Sequence, residues 1–219
     1  MTLLNRRLLI TGLLATAATP VFAQSGKNDF GGLITVPNFN PADKARINSA
    51  TAYLQGLGSA QGRFEQTDFK GRTTTGNWYL QRPGKIRFEY DAPYSAVIVS
   101  NGQSVNMWDP RLQSFDSYPL SETPLSLFLS KQIRLDQGVV VTQVTSNATS
   151  FNLKARDRRK QVEGSITLSF DQSGSALTLR QWMIVDAQGR PTTVKLTSFT
   201  RDSTLKPDLF VLNKPQIKK

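Results

Sequence analysis

The side chains able to do chemistry are few, and their types already narrow what the chain can do. It has no histidine and no cysteine. That removes Cys/His nucleophile pairs, His-based triads and almost all zinc designs, so no metal site and no cofactor is expected. The carboxylates that could pair for general acid–base work are Asp91, Asp109 and Asp186. Each sits at a predicted strand end or turn, where an Asp side chain usually serves the local backbone. No catalytic residue is expected, and the chain is not read as an enzyme.

Two cationic features remain. Arg82 stands directly before Pro83-Gly84. Its guanidinium offers several donors in fixed directions, suited to carbonyls at the ends of helices. Lys154, Arg156, Arg158, Arg159 and Lys160 surround Asp157 at a predicted hairpin tip. This cluster is either a solvated loop or a docking point for an acidic partner or anionic headgroups. No aromatic residues interleave it, so no nucleic-acid partner is expected.

The elements that position these groups are mostly strands. Ile86, Phe88 and Tyr90 alternate with Arg87 and Glu89, the pattern of a half-buried strand. Further runs are read at 64–67, 78–80, 96–100, 103–108, 139–144, 151–155, 166–170, 177–185 and 194–199, about ten strands in meander order. Asn101-Gly102 marks a two-residue hairpin pairing Ser100 with Gln103. One helix opens at Asn40 as N-cap, with Pro41 at the first helical position and Asp43 in the first turn, and ends at Gly56 and Gly58. Ile47, Ala50, Leu54 and Leu57 form its single apolar stripe. A second, short helix is capped by Thr123, starts at Pro124, and is filled by Leu125, Leu127, Phe128 and Leu129.

Two short helices cannot cover a flat sheet of ten strands. The fold class is therefore mainly β: a curved antiparallel sheet forming an unclosed barrel, with short helices plugging its mouth. Parity assigns one inward face to Trp78 and Leu80, to Ile86, Phe88 and Tyr90, and to Ile98, Val105 and Met107. Leu125 and Phe128 supply the apolar face of the lid. These ten residues either line a cavity for a flexible apolar ligand or form a closed core. Arg82 shares the inward parity, so it points to the barrel mouth unless the Pro-Gly turn rotates it to solvent.

The N-terminus reads as an export signal. Arg6 and Arg7 precede the apolar stretch Leu8, Leu9, Ile10, Leu13 and Leu14, and Val21-Phe22-Ala23 fits a cleavage site. Residues 1–23 are thus a signal peptide, with Sec and twin-arginine export both open. Residues 24–39 read as a Gly-rich arm and 40–219 as one domain. Without a cysteine there is neither a disulfide nor a lipid-attachment site, so the mature chain is expected to be soluble and held by its core alone. The whole chain carries +11, and without Arg6 and Arg7 the mature form is 11 − 2 = +9, a charge that favours anionic headgroups and acidic protein faces.

The order of several segments resembles one family. Trp78-Tyr79-Leu80-Gln81-Arg82-Pro83-Gly84-Lys85-Ile86-Arg87-Phe88-Glu89-Tyr90 is followed by Pro93, Val97-Ile98-Val99-Ser100-Asn101-Gly102 and Trp108-Asp109-Pro110. Phe64-Glu65-Gln66, Thr123-Pro124-Leu125, Asp186-Ala187-Gln188-Gly189 and Leu209-Phe210-Val211 with Pro215 complete the set. Together they resemble the LolA family of outer-membrane lipoprotein carriers over about residues 42–215. The resemblance implies a periplasmic, monomeric chaperone that takes lipoprotein acyl chains from an inner-membrane ABC release complex. It implies delivery to an outer-membrane acceptor or to the outer membrane itself. The family arginine matched by Arg82 is implicated in lid gating. Ile86 replaces a lining aromatic, Phe88 matches another lining position, and Leu125 matches a lid residue that is often aromatic. A carrier of another lipid, such as a glycolipid or fatty acyl species, would use the same fold. A β-rich adaptor with a filled core is the remaining alternative.

Overall fold

The computed structural model describes residues 37–123, 125–131, 139–157 and 164–215, apart from the side chain of Leu127. The predicted signal peptide, most of the predicted arm, and Arg158, Arg159 and Lys160 of the basic cluster lie outside the described residues.

The first helix, α1 (Pro41–Gln55), starts where its capping signals place it. The Asn40 side chain accepts from the Asp43 backbone N–H at 2.8 Å, and Gly56 is the C-cap. Ala50 and Leu54, and Leu57 just beyond, bury the apolar stripe against the sheet, which is what stabilises a helix of this length.

Among the described residues, twelve strands follow. They are β1 (Ser59–Thr67), β2 (Thr73–Gln81), β3 (Lys85–Tyr90), β4 (Val97–Asn101), β5 (Ser104–Asp109) and β6 (Ser114–Pro119). After a 3₁₀ turn (Leu120–Glu122) and a second helix, α2 (Leu125–Leu129), come β7 (Val139–Ser146), β8 (Ser150–Asp157) and β9 (Ser165–Ser173). Last are β10 (Ala176–Val185), β11 (Pro191–Leu196), the two-residue β12 (Thr200–Arg201), and a 3₁₀ turn at Pro207–Phe210.

The sheet order is β6-β5-β4-β3-β2-β1-β11-β10-β9-β8-β7, with β12 also on β1. The predicted single meander is therefore two meanders joined by the β1–β11 pair, in which Phe64 faces Leu196. β6 and β7 end the sheet, and the segment carrying α2 runs between them. The sheet is antiparallel, curved and unclosed. Its curl brings Phe88 of β3 to Trp182 of β10, ring centroids 6.1 Å apart, although three strands separate them along the sheet.

Several expectations need correction. β6 and β12 were not predicted. Ser114–Pro119 has no buried alternation, and β12 has two residues, so neither carries a periodic signal. β11 ends at Leu196, and Phe199 lies beyond it. The hairpin at Asn101-Gly102 is wider than predicted: Ser100 pairs with Val105, not Gln103. The Asn101 side chain accepts from the N–H groups of both Gln103 and Ser104 at 2.9 Å, which organises a longer loop. A shift of two residues preserves parity, so Ile98, Val105 and Met107 still share the inner face. The Thr123 hydroxyl donates back to the Leu120 carbonyl at 2.8 Å, and the Thr123 carbonyl accepts from Ser126 N–H of α2 at 3.0 Å.

Candidate functional site

The predicted residues converge on the inner face of the barrel. Trp78, Leu80, Ile86, Phe88, Tyr90, Ile98, Val105, Met107, Leu125 and Phe128 are all buried in one continuous apolar cluster. The two lid residues close it from above. The opposite wall comes from the second meander, through Phe151, Leu153, Leu168, Phe170, Trp182 and Ile184. None of these was singled out from the sequence, although their strands show the same alternation. Aromatic rings dominate the middle: Phe64 meets Phe88 edge-on at 5.2 Å and Tyr90 at 5.1 Å. Met107 and the aliphatic side chains fill between them. Such a mixture can repack around a flexible apolar guest.

One polar pair sits inside this interior. The Tyr90 hydroxyl donates to Gln66 Oε1 at 2.8 Å, and both residues are buried. Burial pushes the Tyr90 phenol far above its ordinary pKa, so it stays neutral and keeps donating.

The mouth is closed by hydrogen bonds to carbonyls. Arg82 follows β2, and its parity aims the side chain inward. Its Nη1 donates to the Leu54 carbonyl in the last turn of α1. Its Nη2 donates to the Ser130 carbonyl just past α2 at 2.6 Å. Among the described residues its Nε is buried without a partner. Helix C-termini present carbonyls with no intrahelical donor and a partial negative charge, and α1 has no basic residue in its own last turn. One guanidinium therefore serves two helix ends at once. Burial pulls the Arg82 pKa below its usual value, yet a guanidinium remains charged at physiological pH. Of the two orientations left open by the sequence, the inward one is found. Next to it, the Gly84 N–H donates to the Leu129 carbonyl at 2.8 Å.

The two helices are held differently. α1 is fastened on several sides. The Tyr53 hydroxyl accepts from Leu179 N–H at 3.3 Å, next to a register shift in β10 between Leu179 and Gln181. Arg201 of β12 lies over the Tyr53 ring at 5.1 Å and donates to the Gly56 carbonyl. α2 has five residues, and the 82–84 turn binds its C-terminal carbonyls.

Of the carboxylates weighed as acid–base candidates, Asp109 and Asp186 serve turns, while Asp91 serves a cross-strand pair. Asp109 accepts from Arg111 N–H at 2.9 Å, and Asp186 from Gln188 and Arg190 N–H at 3.0 and 2.9 Å. Asp91 is paired with Arg63 and accepts from Thr75 at 2.6 Å. Of the basic cluster, Lys154 and Arg156 lie on β8 and Asp157 is buried at its end.

The arrangement is thus an apolar interior under a hydrogen-bonded lid. The profile of the family described as outer membrane lipoprotein carrier protein LolA matches residues 55–213. An outer-membrane lipoprotein carrier protein of Pseudomonas fluorescens is 26% identical over 81% of this chain and 86% of its own length. One of the same name from Nitrosomonas europaea is 25% identical over 80% of this chain and 88% of its own length. A crystal structure of a LolA superfamily protein from Nitrosomonas europaea aligns with a TM-score of 0.45 at 10% identity, covering 77% of this chain and 97% of that one. With the family profile spanning most of its length, this chain belongs to the LolA family of outer membrane lipoprotein carrier proteins.

Proposed function

We propose that this protein is a periplasmic chaperone that shelters the acyl chains of lipoproteins inside its barrel. It receives them from an inner-membrane ABC release complex and delivers them to the outer membrane, directly or through an acceptor there. The ten inner-face residues from Trp78 to Phe128 contact the acyl chains, and Arg82 gates the lid. The observation that carries this reading is Arg82 bridging the carbonyl ends of α1 and α2 directly above the apolar interior.

Energetics explain why a latch belongs there. Each acyl methylene moved from water to an apolar interior contributes about 0.8 kcal/mol, so one long chain contributes on the order of 10 kcal/mol. A carrier bound that tightly could not release its load. Breaking the Arg82 bonds and parting Phe128 from Trp182 on loading sets part of that gain against the cost of opening. Onward transfer is then downhill, because the empty carrier recovers its closed contacts.

The test is to incubate the mature protein with spheroplasts or inner-membrane vesicles. The expected product is a soluble 1:1 complex with a lipoprotein, identified by mass spectrometry. Recovery of a glycolipid or a free fatty acyl species in its place would move the protein to a different cargo class.

A further inference from the structure

Ser100 is a polar side chain in an apolar place. It lies on β4 two residues beyond Ile98, on the same inward face, and it is fully buried (0% exposed). Its strand partners are Ile86 and Val105. A hydroxyl there is costly unless it is hydrogen-bonded. It is: Ser100 Oγ donates to the Gly84 carbonyl at 2.6 Å.

Gly84 is the residue whose own N–H holds the Leu129 carbonyl of α2. It is confined from a second direction as well. A Cβ at Gly84 would lie 2.7 Å from Gly102 Cα, and its φ of +80° is one that L side chains rarely adopt. The 82–84 turn is therefore seated against the β4–β5 turn and pinned there by Ser100. From that seat it presents two donors to consecutive carbonyls at the end of α2: Gly84 N–H to Leu129, and Arg82 Nη2 to Ser130.

We propose that Ser100 is a positioning residue of the lid latch. It acts through Gly84, touches neither lid nor Arg82 in its hydrogen bonding, and sets the aim of both donors. The latch then has two parts, and Arg82 supplies only one. The lid-gating role itself rests on the carrier reading above, but the positioning of α2 is measurable without any cargo.

The experiment is hydrogen–deuterium exchange on the empty full-length mature protein, comparing wild type with Ser100→Ala. Losing one buried hydrogen bond should speed exchange at the Gly84 and Ser130 amides by about fivefold to tenfold. The amides pairing β1 with β11, remote from the latch, should be unchanged. In an Arg82→Leu background, Ser100→Ala should open α2 further than Arg82→Leu does alone, because it weakens the Gly84 donor that remains. Unaltered exchange at Gly84 and Ser130 would overturn the assignment. So would uniform acceleration across the sheet, which would mark Ser100 as a general stability residue. Failure of the lipoprotein-release test would leave these exchange rates untouched, so the two conclusions fail separately.

Discussion

Phe128 of α2 is stacked on Trp182 of β10, with ring centroids 5.9 Å apart and planes inclined by 26°. The contact joins the lid to the wall opposite the latch. α2 is therefore held at one end by donors on the 82–84 turn and in its body by an aromatic face. Trp182 is in turn in edge contact with Phe88, so the lid helix and the first meander touch the same ring.

Truncating that contact should be costly and visible. Phe128→Ala is expected to destabilise the protein by about 3 kcal/mol, through lost burial and the cavity left beside Trp182. Urea denaturation measures the loss. The same variant should alter tryptophan emission in the native state, and adding an acyl ligand to wild type should shift emission in the same direction. An unchanged emission on ligand binding would mean that Phe128 does not leave Trp182.

Arg82→Leu should accept cargo and fail to pass it on. The substitution removes the donors to Leu54 and Ser130 while leaving an apolar side chain at the mouth, so the closed state loses its advantage over the loaded one. Release assays from spheroplasts should give a soluble complex, and transfer to acceptor membranes should fall by at least tenfold. Arg82→Lys should be intermediate, because one ammonium cannot reproduce a fork directed at two carbonyls. Normal transfer by the leucine variant would remove Arg82 from the gating role.

Below neutral pH, the pH dependence of stability follows from carboxylates. Asp91 is held below the usual carboxylate range first by the hydrogen bond from Arg63, with help from Thr75. For Asp68, burial acts upward, but the bonds from Arg72 and from the backbone N–H groups of Arg72 and Lys70 outweigh it, and its pKa is also lowered. A carboxyl whose folded pKa is depressed adds stability above its unfolded value, near 4. That stability is lost as pH falls through the folded value. With no histidine in the chain, urea midpoints should be nearly flat between about pH 5 and 8 and drop below about pH 4. Asp68→Asn and Asp91→Asn should each flatten the acid limb, and a steep change near pH 6 would contradict this account.

Much of the site was legible because strand parity survives local error. The hairpin at Asn101-Gly102 was read with the wrong partner for Ser100, yet Ile98, Val105 and Met107 face inward, since the actual register differs by two residues. The second wall was harder to assign. Trp182 and Phe170 sit on clearly alternating strands, but which face of those strands meets Phe88 depends on the β1–β11 pairing, a contact between distant parts of the chain. Local periodicity carries no information about that pairing.

By themselves, the residues determined the α1 start at Asn40 and Pro41, the alternation of β3, the use of Asp109 and Asp186 in turns, and the absence of histidine and cysteine chemistry. Each of these depends on groups a few residues apart, within reach of local hydrogen bonding and backbone geometry. The direction of Arg82 was different. Before a Pro-Gly turn the same guanidinium could meet water or protein. Only the folded chain brings Leu54, 28 residues earlier, and Ser130, 48 residues later, to the same guanidinium. A long-range hydrogen bond to backbone carbonyls leaves no mark on the identity of its acceptors, so tertiary structure alone decided that Arg82 points inward to the ends of α1 and α2.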